Sequence, residues 1–302
     1  MIILITGVTG FVGKNLKEYL SNGSNQILSL PLRNDNWEEY FDFNCDALIH
    51  LAGKAHDLTN SLNDEEYYKV NRDLTINIFE KFLKSNIRDF IFFSSVKAAA
   101  DTVDGVLTEN YPLSPKTAYG KSKLEAEKYL LNKDLPFGKR LFIIRPCMIH
   151  GPGNKGNLNL LYNVVKKGIP WPLGKFHNCR SFLSIDNLCY LIAQILENKE
   201  VKSGIYNFAD DKSISTNALV KIISEAIGEK EKIWNVNKNF IKLISKLGDI
   251  LSLPLNSERL KKLTESYVVS NQKIKKELNL TVLPISLEDG IKKTIQSFSN
   301  KK

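Results

Sequence analysis

The chain has 302 residues, 43% apolar and 25% charged, with a net charge of +9 and four cysteines. That balance suits a globular protein with a real core, built as one large domain or two intimate ones. No apolar run nears the roughly 18 residues that span a bilayer, which excludes an integral membrane segment.

The scattered cysteines (Cys45, Cys147, Cys179, Cys189) form no CxxC pair. They argue against a metal site or a disulfide framework and for a reducing cytoplasm. The lysines are spread along the chain, so the positive charge is read as solvated surface that attracts small anions, with no nucleic-acid partner. The opening "MIILITGVTG" lacks a basic leader and is read as a strand, not a signal peptide.

In chain order, "IILIT", "QILSLP", "ALIHLAG", "DFIFFSS" and "LFIIRP" are short branched runs that predict strands. Between them "FVGKNLKEYLSNG", "EEYYKVNRDLTINIFEKFLKS" and "AYGKSKLEAEKYLL" repeat apolar residues at helical spacing. Parallel neighbours need crossovers, so the alternation predicts an α/β fold with a doubly wound parallel sheet, over residues 1–152. After Pro146 come two loops, "HGPGNKGN" and "GIPWPLGKFHNCRS", and a mainly helical tail. These predict a smaller mixed α/β substrate lobe over 153–302, with residues from about 184 to 210 returning to the first domain.

"ITGVTGFVGKNL" sets Gly7, Gly10 and Gly13 three apart, after the first strand and at the head of the first helix. Glycine allows the tight turn and lets backbone N–H groups approach a pyrophosphate at a helix N-terminus. Thr9, Phe11 and Val12 complete this predicted dinucleotide cradle. An acidic residue at the end of the second strand would bond the adenosine ribose and select NAD. Here Pro31 takes that place and Arg33 follows. An arginine there suits a 2′-phosphate, which favours NADP(H); Asp35 folding back is the NAD(H) alternative.

Tyr119 and Lys123 lie four apart on one helical face. A free tyrosine titrates near pH 10. A nearby ammonium, with the positive charge of an oxidised nicotinamide, is expected to bring it towards neutrality, giving a proton donor and acceptor. The third participant should be a hydroxyl at a strand's carboxyl end, where Ser94 and Ser95 stand.

The GxxGxxG spacing and the Ser–Tyr–Lys order resemble the extended short-chain dehydrogenase/reductase superfamily, in its sugar-nucleotide epimerase, dehydratase and reductase branch. The resemblance covers nearly the whole chain and implies a Rossmann-type fold. It implies Ser95 on the substrate oxygen, Tyr119 as acid/base, and Lys123 on the nicotinamide ribose. It also places Leu51, Ala52, Gly53, Asn71, Ser94 and Pro146 at the cofactor. "RPCMIHGPG" resembles the branch's RPxxVYGPG segment, with His150 for the usual tyrosine. Substrate contacts are implied at Asn157 and Leu158 (pyrophosphate), at Trp171, Pro172 and Leu173 (beside a uracil, or core), and at Arg180 (phosphate). Lys54 and His56 are sugar-side candidates in what is otherwise a solvent loop.

Dehydratases of the branch carry Asp–Glu after the catalytic hydroxyl; Val96 and Lys97 stand here, which disfavours dehydration. The resemblance implies a cytoplasmic enzyme of surface-polysaccharide synthesis. The expected activity is NADP(H)-dependent reduction of the C4 keto group of a UDP-linked 4-keto-6-deoxy-N-acetylhexosamine. A UDP-hexose or UDP-N-acetylhexosamine 4-epimerase holding NAD is the alternative, and a non-catalytic NADP(H) sensor is the third reading. A homodimer is expected through the two long helices, near residues 65–83 and 118–131.

Overall fold

The computed structural model describes residues 1–34, 36–55, 64–154, 156–251 and 256–299, without the Asn157 side chain. Strands β1 (Ile2–Thr6), β2 (Gln26–Leu30), β3 (Ala47–His50) and β4 (Asp89–Phe93) alternate with helix α1 (Phe11–Ser21) and a long helical run. That run is α2 (Asp64–Tyr68), a π turn at Lys69–Asp73, and α3 (Leu74–Lys84). The predicted single helix is therefore interrupted by one wider turn, a device frequent at functional sites.

After the two-residue β5 (Val106–Leu107) come α4 (Ala118–Leu131), β6 (Arg140–Pro146), β7 (Met148–His150) and α5 (Asn157–Lys166). Then follow β8 (Arg180–Ser184), α6 (Ile185–Glu197) and β9 (Gly204–Phe208). Six strands form one parallel sheet in the order β2-β1-β3-β4-β6-β9. Strand β9 thus joins the sheet after the chain has left it.

Successive side chains of a strand point to opposite faces. Ile3 and Ile5 accordingly pack with Leu16 and Leu20 of α1 and with Leu188, Leu191 and Ile192 of α6. Leu4, Phe90 and Phe92 pack on the other face with Ile78, Phe79 and Phe82 of α3 and Leu130 of α4. Each fully buried phenylalanine contributes about 1.5–3 kcal/mol to holding helix on sheet.

The rest of the chain adds β10 (Ser213–Ile214), α7 (Thr216–Ala226), α8 (Lys238–Leu251), α9 (Ser257–Thr264), β11 (Val268–Val269), α10 (Gln272–Glu277) and α11 (Leu287–Ser299). A small mixed sheet, β10-β8-β7, has one parallel and one antiparallel pairing. A separate core gathers Leu158, Tyr162, Val220, Ile223, Ile241, Leu260, Ile291 and Ile295 from five helices. The order β2-β1-β3 reverses direction at β1, which opens a crevice above the carboxyl ends of β1 and β3.

Candidate functional site

The crevice floor is the glycine turn. Gly7 has φ of +71°, and a Cβ there would stand 2.9 Å from the Ala52 nitrogen. A Cβ on Gly13 would stand 2.2 Å from the Gly7 oxygen, so only glycine lets α1 start this close to β1. Gly10 N donates to Gly7 O at 3.0 Å, and Gly10 heads α1 with no side-chain cap. The amides of Phe11, Val12 and Gly13 thus open the helix with no intrahelical acceptor, as an anion would need. Thr9 is exposed at the lip. Arg33 is exposed past β2, while Asp35 lies outside the described residues.

Leu51, Ala52 and Gly53 form the opposite wall after β3. Ala52 N donates to Thr6 Oγ1 at 3.1 Å. His50 bridges Thr6 Oγ1 (2.8 Å) and Thr75 Oγ1 (3.0 Å). Its burial, with Lys123 adding, pushes its pKa down to about 3, so it is a neutral strut. Asn71, inside the π turn and wholly buried, locks the wall to α4. Its Oδ1 accepts from Lys54 N (2.8 Å), and its Nδ2 donates to Lys54 O (3.0 Å) and Ser122 Oγ (3.2 Å).

Helix α4 enters from the other side of the sheet. Thr117 Oγ1 caps it by accepting from Gly120 N at 3.2 Å, which sets Tyr119 in the first turn. The partly buried Tyr119 phenol stands beside the Ser95 side chain, which pulls its pKa down against the rise from burial. Ser95 caps a short 3-10 turn and accepts from Lys97 N at 3.2 Å. Tyr67 packs edge-on against Tyr119, with ring centroids 6.2 Å apart. One turn along, Lys123 Nζ donates to Phe93 O at 2.9 Å, 4.8 Å from the Phe92 ring centroid. A Cβ on Gly53 would stand 2.9 Å from that Nζ, so Lys123 reaches the Gly53 wall of the crevice. Ser95, Tyr119, Lys123, Gly53 and Asn71 are thus brought together.

The expected fall in the Tyr119 pKa calls on both the ammonium and the charge of an oxidised nicotinamide; the protein's own groups by themselves move it the other way. Burial raises it, the Ser95 hydrogen bond opposes that shift, and Lys123 is not among the groups that move it. The physical reason is that Nζ is turned onto the Phe93 carbonyl. Burial also lowers Lys123 itself, to about 8.

A second turn along, Glu127 is buried and grips Arg145 of β6, while the Ser94 hydroxyl donates to Glu127 Oε1. The Ser94 hydroxyl is therefore committed beneath the site, and Pro146 is buried at the end of β6. Sequence reasoning misses Glu127, although its spacing from Tyr119 and Lys123 is regular.

The remaining predicted residues scatter. Lys54 is ion-paired with Glu66, and His56 lies outside the described residues. Asn157 opens α5 with its side chain outside the described residues, and Leu158 is 2% exposed in the lobe core. Trp171 and Leu173 are also core, with Trp171 Nε1 donating to Asn217 Oδ1 at 3.0 Å. Of the two readings open for this segment, their burial is that of core residues; of the three, Pro172 keeps partial surface. Arg180 begins β8 beside Glu265, Tyr267 and Lys97. Burial lowers the pKa of both Arg180 and Lys97. Lys97 stacks over the Tyr267 ring at 4.4 Å and donates to Asp101 O at 2.8 Å. Two desolvated cations near Ser95 suit an anionic ligand.

A doubly wound sheet whose polar cluster sits at the carboxyl edge of the switch point defines a Rossmann-type protein. Residues 3–209 match the profile of the NAD dependent epimerase/dehydratase family. The chain is 30% identical to UDP-glucose 4-epimerase of Vibrio cholerae, over 98% of its own length and 95% of that protein. It is 27% identical to N-acetyl-alpha-D-glucosaminyl-diphospho-ditrans,octacis-undecaprenol 4-epimerase of Escherichia coli O157:H7, over 97% and 94%. In fold it matches the UDP-glucose 4-epimerase of Thermus thermophilus in complex with NAD (TM-score 0.76, 19% identity, 100% of both chains). It also matches RMD from Pseudomonas aeruginosa complexed with NADPH (TM-score 0.72, 18% identity, 98% of both chains). The chain belongs to the NAD dependent epimerase/dehydratase family of enzymes, as the resemblance to extended short-chain dehydrogenase/reductases implied.

Proposed function

We propose that the chain interconverts the C4 epimers of a hexose or N-acetylhexosamine carried on a diphosphate, with a nicotinamide dinucleotide held in the glycine cradle. The observation that carries the reading is Ser95 standing beside Tyr119, with Lys123 one turn on at the Gly53 wall, in a chain alike over nearly its full length to two 4-epimerases. The cradle fits such a cofactor because Gly7 and Gly13 let the turn and the uncapped head of α1 close tightly on β1 and the Ala52 backbone, which leaves the first helical amides for a pyrophosphate.

When bound, the dinucleotide supplies hydride acceptance and donation at C4. The chain's own part is proton transfer and positioning. Ser95 would hold the sugar oxygen in line, Tyr119 would give and take its proton, and Lys123, beside Gly53, would hold the cofactor's ribose. Arg180 and Lys97 receive the diphosphate charge, Pro172 borders the carrier, and Thr9, Leu51, Ala52 and Asn71 shape the cofactor wall. The V. cholerae relative is named for UDP-glucose and the E. coli one for an N-acetylglucosaminyl lipid diphosphate; both present a hexose joined to a diphosphate. We assign cofactor binding to residues 1–152 with the return at about 184–210, and sugar binding mainly to 153–302. A homodimer through the outer faces of α2–α3 and α4 belongs to the same proposal; exposed Lys121, Glu125 and Lys128 alternate in charge there.

The second reading is the NADP(H)-dependent 4-ketoreductase. Pro31 and the exposed Arg33 after β2 favour it. The test is purified protein with UDP-glucose or UDP-N-acetylglucosamine and no added cofactor, followed by NMR of the sugar. A mixture of C4 epimers is expected. No epimer, with NADPH consumed on a UDP-4-keto-6-deoxy sugar, would establish the reductase instead.

A further inference from the structure

Helix α8 turns Ile241, Ser245 and Gly248 inward, and Ile241 joins Leu260 of α9 in the second core. Its outer face is apolar too. Phe240, Leu243, Leu247, Ile250 and Leu251 are 56%, 56%, 47%, 78% and 64% exposed. At about 100° per residue they fall in one stripe about 100° wide; Lys246 borders it with Lys242 next to it, and Lys238 lies farther round, its Nζ over the Phe176 ring. Trp234, 59% exposed, stands four residues ahead of the helix. A soluble monomer seldom leaves so continuous an apolar face to water, so the stripe calls for a partner.

Charge says which partner. The three lysines are exposed, and Asp249, the one acid in α8, is held by Ser257 N (2.9 Å) and Oγ (2.5 Å). Helix α9, packed against α8, adds Arg259, Lys261 and Lys262. Together the two helices carry six cations against two carboxylates, Asp249 and Glu258. A second copy of this chain would bring the same lysines face to face, whereas an anionic lipid surface meets them with opposite charge.

We propose that α8 docks the protein on an anionic bilayer. The helix lies flat, its stripe at the acyl boundary and its lysines among the headgroups. No spanning segment is involved: α8 has 14 residues, and among the described residues no helix is long and apolar enough to cross a membrane. Docking would hold one ligand-facing edge near that surface. Asn178, two residues before Arg180, donates to Leu263 O of α9 at 3.3 Å, and α9 packs on α8. The inference stands on α8 and α9 alone and is independent of the C4 chemistry.

The test is sedimentation of the full chain with phosphatidylcholine vesicles, alone or with about one quarter phosphatidylglycerol, at low salt and at about 0.5 M salt. Binding is expected to the anionic vesicles at low salt, weakened roughly fivefold by each of Lys242→Gln and Lys246→Gln. Leu243→Glu/Leu247→Glu should abolish it while circular dichroism and the melting temperature hold. Wild-type protein left in the supernatant would overturn the proposal, as would equal binding to neutral vesicles. So would sedimentation velocity showing a dimer that Leu243→Glu/Leu247→Glu splits.

Discussion

Arg145 clasps Glu127 through both carboxylate oxygens, with Nε at 3.0 and 3.2 Å and Nη2 at 2.5 Å, and each residue is 1% exposed. The pair lies one helical turn beyond Lys123, and Arg145 Nη1 has no hydrogen-bond partner among the described residues. Removing one charge strands the other away from water. Glu127→Ala should therefore cost about 3–5 kcal/mol in urea unfolding. The apolar pair Glu127→Leu/Arg145→Met should be less damaging than either single change. Singles within about 0.5 kcal/mol of wild type would mean that water reaches the pair.

Lys123 makes stability depend on pH. Burial lowers its pKa from 10.5 to about 8, against the pull of Glu127. Between those values the unfolded chain binds more protons at this site than the folded one, so stability rises with pH. The buried ammonium thus costs stability below pH 8, and about 3 kcal/mol of that is relieved by pH 10.5. Wild type should gain on Lys123→Met across this window in urea midpoints. A difference that ignores pH would show an ordinary lysine.

Tyr119→Phe keeps the ring against Tyr67 and deletes the proton that Ser95 shares. Turnover of a C4 sugar substrate should fall about 10²–10⁴-fold, with sugar-nucleotide affinity by calorimetry unchanged within a few-fold. Undiminished turnover would remove this phenol from the chemistry.

Gly13→Ala drives a methyl to 2.2 Å from the Gly7 carbonyl, so α1 must back away from β1. We expect a loss of about 1–3 kcal/mol in stability and of the thermal shift given by NAD(H) or NADP(H). Gly23→Ala, whose nearest neighbour would be at 3.7 Å, is the control that should keep that shift.

What is legible in the sequence is local. Branched runs and helical periodicity place β1 to β4, β6, α1 and α4, and the glycine spacing places the crevice. The spacing of Tyr119 and Lys123 puts both on one face, and one more step of four reaches Glu127. Arg145 stays hidden because its partnership joins a helix to a strand 18 residues away. Trp171 and Leu173 look like loop residues because "GIPWPLG" has no period; only the lobe around them shows that they are core. Spacing reports which residues share a face, not how much water each keeps, so the rise that burial gives the Tyr119 pKa leaves no mark in it. The π turn leaves no periodic mark in five residues, so the sequence reads straight through it.

That wider turn also sets the phase of everything before it. A π turn holds one residue more than the α-helical path needs. Deleting Val70 would restore a regular spiral and rewind Asp64–Tyr68 by about 100° against α3. Tyr67 would then swing off the Tyr119 ring and Glu66 away from Lys54, with α3 still seated on the sheet. A single-codon deletion could thus detune this wall while leaving the scaffold whole.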